Sequence, residues 1–66
     1  MKNTLKTERI RNEMTQVQLA EIVKVSRQTI ISIESGRYIP SVLLALKIAK
    51  KFNLYVEDLF QVEKSD

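Results

Sequence analysis

The segment Thr15–Gly36, TQVQLAEIVKVSRQTIISIESG, constrains this chain more than any other, because it admits two short helices with almost nothing between them. Thr15 with Gln18 three residues later is a capping-box pattern, so a helix is expected to begin at Gln16. Leu19, Ala20 and Val23 then share one face at helical spacing, and the pattern gives way to Lys24-Val25-Ser26, which has room only for a turn. Ser26 is placed to cap a second helix that carries Ile30 and Ile33 inward. Gly36, the chain's only glycine, suits the left-handed residue that closes a helix. The expected helices therefore cover about residues 16–23 and 27–35.

At about 100° per residue, Ile30 and Ile33 centre the inner side of the second helix. Gln28, Ile31, Ser32 and Ser35 lie opposite them, flanked by Arg27 and Thr29. A solvated face on a small protein is usually rich in Lys and Glu, whereas this one presents Arg, Gln, Thr and Ser. Those side chains form paired hydrogen bonds with guanine and adenine edges or touch the thymine methyl, and a helix entering the major groove places them near its N-terminal end. On this reading Gln28 faces adenine and Arg27 faces guanine or a phosphate. Thr29 and Ser32 make shorter contacts with bases or backbone. Ile31 either meets a thymine methyl or fills a gap beside the following loop. Gln16, at the start of the first helix, is placed to meet a phosphate with help from the helix dipole, or to brace Gln28, and Lys24 in the corner is a further candidate for a phosphate contact.

These residues resemble the helix-turn-helix of phage-type repressors, the family of the lambdoid Cro and repressor DNA-binding domains. The resemblance is carried by Thr15-Gln16, Leu19-Ala20, Val23, Val25 to Ile30, Ile33-Glu34, Gly36, Tyr38 and Pro40-Ser41. It extends to Leu5 and Arg9 on one side and to Ala45, Ile48-Ala49, Phe52 and Glu57 to Phe60 on the other. At 66 residues the chain is most similar to stand-alone members such as the cytolysin repressor type. The resemblance implies an all-α fold of five helices, with the two chain ends able to pair as short antiparallel strands, Met1–Thr4 against Gln61–Lys64. It also implies an ion pair between Arg9 and Glu34, and backbone phosphate contacts from Arg37 and Tyr38. Two residues depart from the family pattern. Glu8 stands where an apolar residue is common, so Ile10 is expected to fill that part of the core. Glu13 stands where glycine is common, so the first helix is expected to end in a different shape, since glutamate is uncomfortable in a left-handed conformation.

Composition agrees and narrows the alternatives. One domain of 66 residues encloses only a small core, and dimerisation would add to its modest stability. The chain has neither cysteine nor histidine, no glycine-rich phosphate loop and no separated carboxylate pair expected to face a cleft, so neither an enzyme nor a metal or cofactor site is expected. No apolar run is long enough to span a bilayer and no secretory core follows Met1, which points to the cytoplasm. The net charge of +3 is unevenly spread. Lys2, Lys6, Arg9, Arg11, Lys24, Arg27 and Arg37 precede residue 40, and Glu57, Asp58, Glu63 and Asp66 close the chain.

The remaining helices are expected over about Leu5–Glu13, Val42–Phe52 and Val56–Phe60. Val42, Leu43, Leu44, Ala45 and Leu46 are consecutive and so occupy every side of their helix. Leu43 or Leu46 is thus left over once the core is filled, with Tyr55, Phe60 and Val62 expected near the same surface. That leftover patch suits a homodimer reading two half-sites of an inverted repeat one helical turn apart, and a repressor is the expected role. The competing reading is an antitoxin-type module that covers a toxin as well as its own promoter. No small-molecule effector domain is evident.

Overall fold

Three of the five helices start on a hydroxyl that accepts the amide of the third residue of its own helix. Thr15 Oγ1 accepts from the Gln18 amide at 3.0 Å while Gln18 Oε1 accepts from the Thr15 amide at 2.8 Å, and α2 runs over Gln16–Val23. Ser26 Oγ accepts from the Thr29 amide at 3.2 Å and opens α3, Arg27–Glu34. Ser41 Oγ accepts from the Leu44 amide at 3.2 Å and opens α4, Val42–Lys51. In the computed structural model, which describes all 66 residues, α1 covers Leu5–Arg11 and α5 covers Val56–Leu59. The Asp58 carboxylate accepts the Tyr55 amide at 2.8 Å and so caps α5. The chain ends form the only sheet, β1 (Lys2–Asn3) antiparallel to β2 (Phe60–Gln61), with Lys2 opposite Gln61 and Asn3 opposite Phe60. The expected five helices and terminal strand pair are therefore present, with the second strand starting one residue earlier than expected.

The helices enclose one core. Leu5, Leu19, Ile30, Ile33, Ile48 and Leu59 are completely buried, so every helix contributes at least one side chain. Met14, Val25, Phe52, Leu54 and Val56 pack around them. Truncating one of the six, for example Ile33→Ala, removes about 2–5 kcal/mol. That is comparable to the whole stability a core of this size supplies, roughly 3–5 kcal/mol. The molecule measures 32 × 23 × 20 Å. No helix is long and apolar enough to cross a membrane.

Three expectations are corrected by the packing. Ile10 is 56% exposed and does not replace the missing apolar side chain at Glu8. The inward stripe of α1 consists of Leu5 and Arg9, four residues apart, and Ile10 falls off it. Met14 packs against the core, and Arg9 is itself buried, at 8% exposure. Glu8 turns aside to accept from Arg11 at 2.9 Å. Glu13 does take the left-handed conformation, with φ at 54°. The turn accompanies two bonds between Arg9 and Met14: Arg9 Nη1 donates to the Met14 carbonyl at 2.8 Å, and the Met14 amide donates to the Arg9 carbonyl at 3.0 Å. Phe60, expected at the outer surface, is 7% exposed and belongs to the core, because β2 turns it inward across the end of α5.

Candidate nucleic-acid interface

The α2–α3 corner is held by local chemistry. Lys24 ends α2 in a left-handed conformation at φ 61°, and the Val25 amide returns to the Ala20 carbonyl at 2.9 Å. The chain then enters α3 directly at Ser26. Ile30 and Ile33 anchor α3 from below, which leaves Arg27, Gln28 and Ser35 exposed, with Ile31 and Ser32 half-buried beside them. The side chains of Arg27 and Gln28 make no hydrogen bond within the molecule, so both are free to engage a ligand. Thr29 differs: its hydroxyl lies 3.0 Å from Ser26 Oγ and is shared with the cap.

Arg9 connects α1 to the end of α3. Its Nε donates to Glu34 Oε2 at 2.7 Å, Nη2 to Glu34 Oε1 at 3.2 Å, and Nη1 to the Met14 carbonyl. Arg9 and the Glu34 side chain are both nearly buried, so the pair is desolvated and depends on this full set of partners. Gln16 joins it, its Nε2 donating to Glu34 Oε1 at 3.2 Å. The side chain thus braces Glu34 and not Gln28, and one amide hydrogen of Nε2 remains free at the start of α2. The N-terminal strand adds a support absent from the sequence reading. Asn3 Nδ2 donates to the Ile33 carbonyl at 3.0 Å while Asn3 Oδ1 accepts from the Leu5 amide at 3.2 Å. A short polar terminus carries no periodic signal, so only the fold reveals this tie between β1 and α3.

Gly36 has φ 80° and turns the chain back over the end of α3. The amides of Arg37 and Tyr38 then both donate to the Ser32 carbonyl, at 3.0 and 3.2 Å. Their side chains are exposed beside the α3 face and carry no internal hydrogen bond. Arg37 and Tyr38 are thus tied by their backbone to the last turns of α3, and Tyr38 borders one hollow together with Thr29. Gln16 lies where α2 begins, beside the end of α3.

The residues expected at a dimer face are split. Leu43 and Leu46 are 63% and 53% exposed on α4, and Tyr55 and Val62 are also exposed. Val42, Leu46 and Val62 border an apolar hollow of about 430 Å³ whose floor is formed by Ala45, Val56 and buried Phe60. Leu43 looks to the other side of α4, beside Tyr38 and Ser41.

Two capped helices meeting at a tight corner, with unengaged Arg and Gln side chains on the second, define the class: a helix-turn-helix domain built to present one helix face. The helix-turn-helix family model matches residues 5–59. The chain is 48% identical to an uncharacterized HTH-type transcriptional regulator of Bacillus subtilis and 52% identical to one of Methanocaldococcus jannaschii, over all of both chains in each case. Among solved structures it is similar to the restriction-modification controller protein C.AhdI of Aeromonas hydrophila, with TM-score 0.77 and 25% identity over 85% of each chain. It is similar also to the SOS-response transcriptional repressor LexA of Eubacterium rectale, with TM-score 0.82 and 28% identity, covering 96% of this chain and 67% of that one. The protein belongs to the Cro/C1-type helix-turn-helix family, whose members are non-enzymatic DNA-binding transcription regulators.

Proposed function

We propose that the protein is a repressor that binds an inverted-repeat operator in double-stranded DNA as a homodimer in the cytoplasm, with α3 of each copy in successive major grooves. The observation that carries this reading is the unengaged Arg27–Gln28 pair at the start of α3, mounted on a helix whose other end is held by Arg9, Gln16 and Asn3. Gln28 reads adenine and Arg27 reads guanine or holds a phosphate. Ile31 sits against a thymine methyl, and Thr29 and Ser32 make short contacts with bases or backbone. Gln16, Arg37 and Tyr38 set the register on phosphates. Leu43, Leu46, Tyr55 and Val62, with Phe60 beneath, supply the apolar face on which two copies meet. The likeness to the SOS-response transcriptional repressor LexA of Eubacterium rectale supports the repressing direction.

Selection of bound duplexes from a random pool at near-physiological salt tests partner, symmetry and readout together. The expected result is an enriched inverted repeat with half-site centres about one turn, roughly 34–36 Å, apart. Absence of enrichment, with binding that vanishes as salt rises, would reduce the interaction to charge alone and overturn the reading.

A further inference from the structure

Two surface hollows share a wall on the side of α4 away from the apolar groove. The first is bordered by Thr29, Tyr38, Ser41 and Leu43 together with Lys24 and Lys47. The second is bordered by Ile22 and Val23 together with Lys24, Lys47, Lys50 and Lys51. Lys24 and Lys47 line both, so the lysines form one continuous strip that starts at the face carrying Thr29 and Tyr38. None of the four has a carboxylate within 4.0 Å, since the ion pairs of the molecule involve only the Met1 amine, Arg9 and Arg11. Lys50 and Lys51 have a local use, because cations in the last turn of α4 oppose its dipole. Lys24 and Lys47 have no such use. Lys47 is in mid-helix, and Lys24 holds a left-handed conformation that glycine or asparagine would adopt more readily.

We propose that Lys24, Lys47, Lys50 and Lys51 form a phosphate track that continues the DNA-reading face and holds the backbone of the same duplex. The inference rests on DNA being the ligand of α3. Four unpaired like charges around one hollow repel each other, and a polyanion laid along them removes that repulsion while releasing its own counterions. Lysine, a compact point charge on a flexible stem, suits backbone phosphates and carries no base preference. Continuity with Thr29 and Tyr38 selects DNA over an acidic protein, because the strand that passes those residues has only to continue. Lys24 and Lys47 touch phosphates directly. Lys51 lies roughly 6 Å further along α4 than Lys47 by helical rise, within the ~8–10 Å range over which charge acts at ordinary salt.

The test compares the wild-type protein, the pair Lys24→Gln/Lys47→Gln and the quadruple Lys24→Gln/Lys47→Gln/Lys50→Gln/Lys51→Gln across a salt series. Each is bound to the selected duplex and to a random-sequence duplex. The pair is expected to flatten the dependence of log K on log salt by about 2, at roughly 0.9 per phosphate, on both duplexes alike. The quadruple should flatten it further, and the ratio of the two affinities should stay as in wild type. An unchanged slope on both duplexes, or a changed base preference, would overturn the track; a quadruple no different from the pair would overturn the part assigned to Lys50 and Lys51. All four side chains are exposed, and Lys47→Gln/Lys51→Gln provides a second variant that leaves the left-handed position untouched. If wild type prefers neither duplex, sequence reading by α3 fails, yet the slopes on random DNA still decide the track.

Discussion

At the residue scale, the side chains divide into those used to hold the molecule and those left free. Arg9 and Glu34 belong to the first group. Each is nearly buried and each satisfies the other, so losing one partner strands a charge where water does not reach it. Arg9→Met or Glu34→Met alone is expected to cost about 3–5 kcal/mol in denaturant unfolding, and the double variant much less than the sum. Equal and additive losses would show that the pair is not coupled. Gln28 and Arg37 belong to the free group and differ in kind. Gln28→Ala should lose about 1–3 kcal/mol at one base-pair position, whereas Arg37→Ala should weaken all sequences similarly and lower the salt slope by about 1. A uniform loss for Gln28→Ala would remove it from the base-reading set. Gln16 spans both groups, with one hydrogen of its amide on Glu34 and the other free for a phosphate.

At the scale of elements, the helices were legible because their ends are written in local chemistry. Thr15 with Gln18, Ser26 and Ser41 cap three of them as the sequence indicates, and Gly36 closes α3 at positive φ. The end of α1 departs from the sequence expectation because a tertiary contact outweighs a local propensity. Glutamate at φ 54° costs about 1–2 kcal/mol, and the chain accepts this because the turn brings the Met14 carbonyl to Arg9. Glu13→Gly is therefore expected to stabilise the fold by about 0.5–1 kcal/mol, the relieved strain less the added freedom of the unfolded chain. A thermal melt decides it, and a lowered midpoint would mean that the turn is not strained. Ile10 was misplaced for a related reason. Periodicity lists the apolar residues of a short helix, but two turns are too few to show which stripe faces inward.

For the whole molecule, two features bear on how a small domain stays closed and how it associates. The Met1 amine donates to Asp66 Oδ1 at 2.9 Å and lies 3.5 Å from Glu63, which clasps the chain ends beside the β1–β2 pair. The hydrogen bond to Asp66 raises the amine above its ordinary 8.0. The Glu63 backbone amide, with the amine second, lowers Asp66 below its ordinary 3.8. The amine's contribution is complete below pH 8.0 and is lost as pH rises through its raised value; that of Asp66 is present above pH 3.8 and is lost as pH falls through its lowered value. NMR shifts of Asn3 and Phe60 should accordingly move at both extremes while those of Leu19 and Ile30 stay fixed, and a flat profile would show that the clasp does not hold the strands. The proposed association is tested at Leu46, which is 53% exposed and borders the apolar hollow. Leu46→Glu should leave the far-ultraviolet spectrum intact and shift sedimentation towards the monomer; an unchanged sedimentation coefficient would overturn the proposed dimer face.

The sequence by itself determined the helix-turn-helix. Caps, a three-residue corner, inward isoleucines and the Arg, Gln, Thr and Ser outer face are all local, set by spacings of three or four residues that a reader can count. The tertiary structure decided what depends on distant residues meeting. It placed Arg9 in the core in place of Ile10, drew Gln16 to Glu34, tied Asn3 to the end of α3, buried Phe60 beneath the groove, and brought Lys24, just past the end of α2, beside Lys47 of α4. Each of those outcomes joins residues separated by 18 or more positions or chooses between two faces of one element. Such choices follow from how the whole chain shares a single small core.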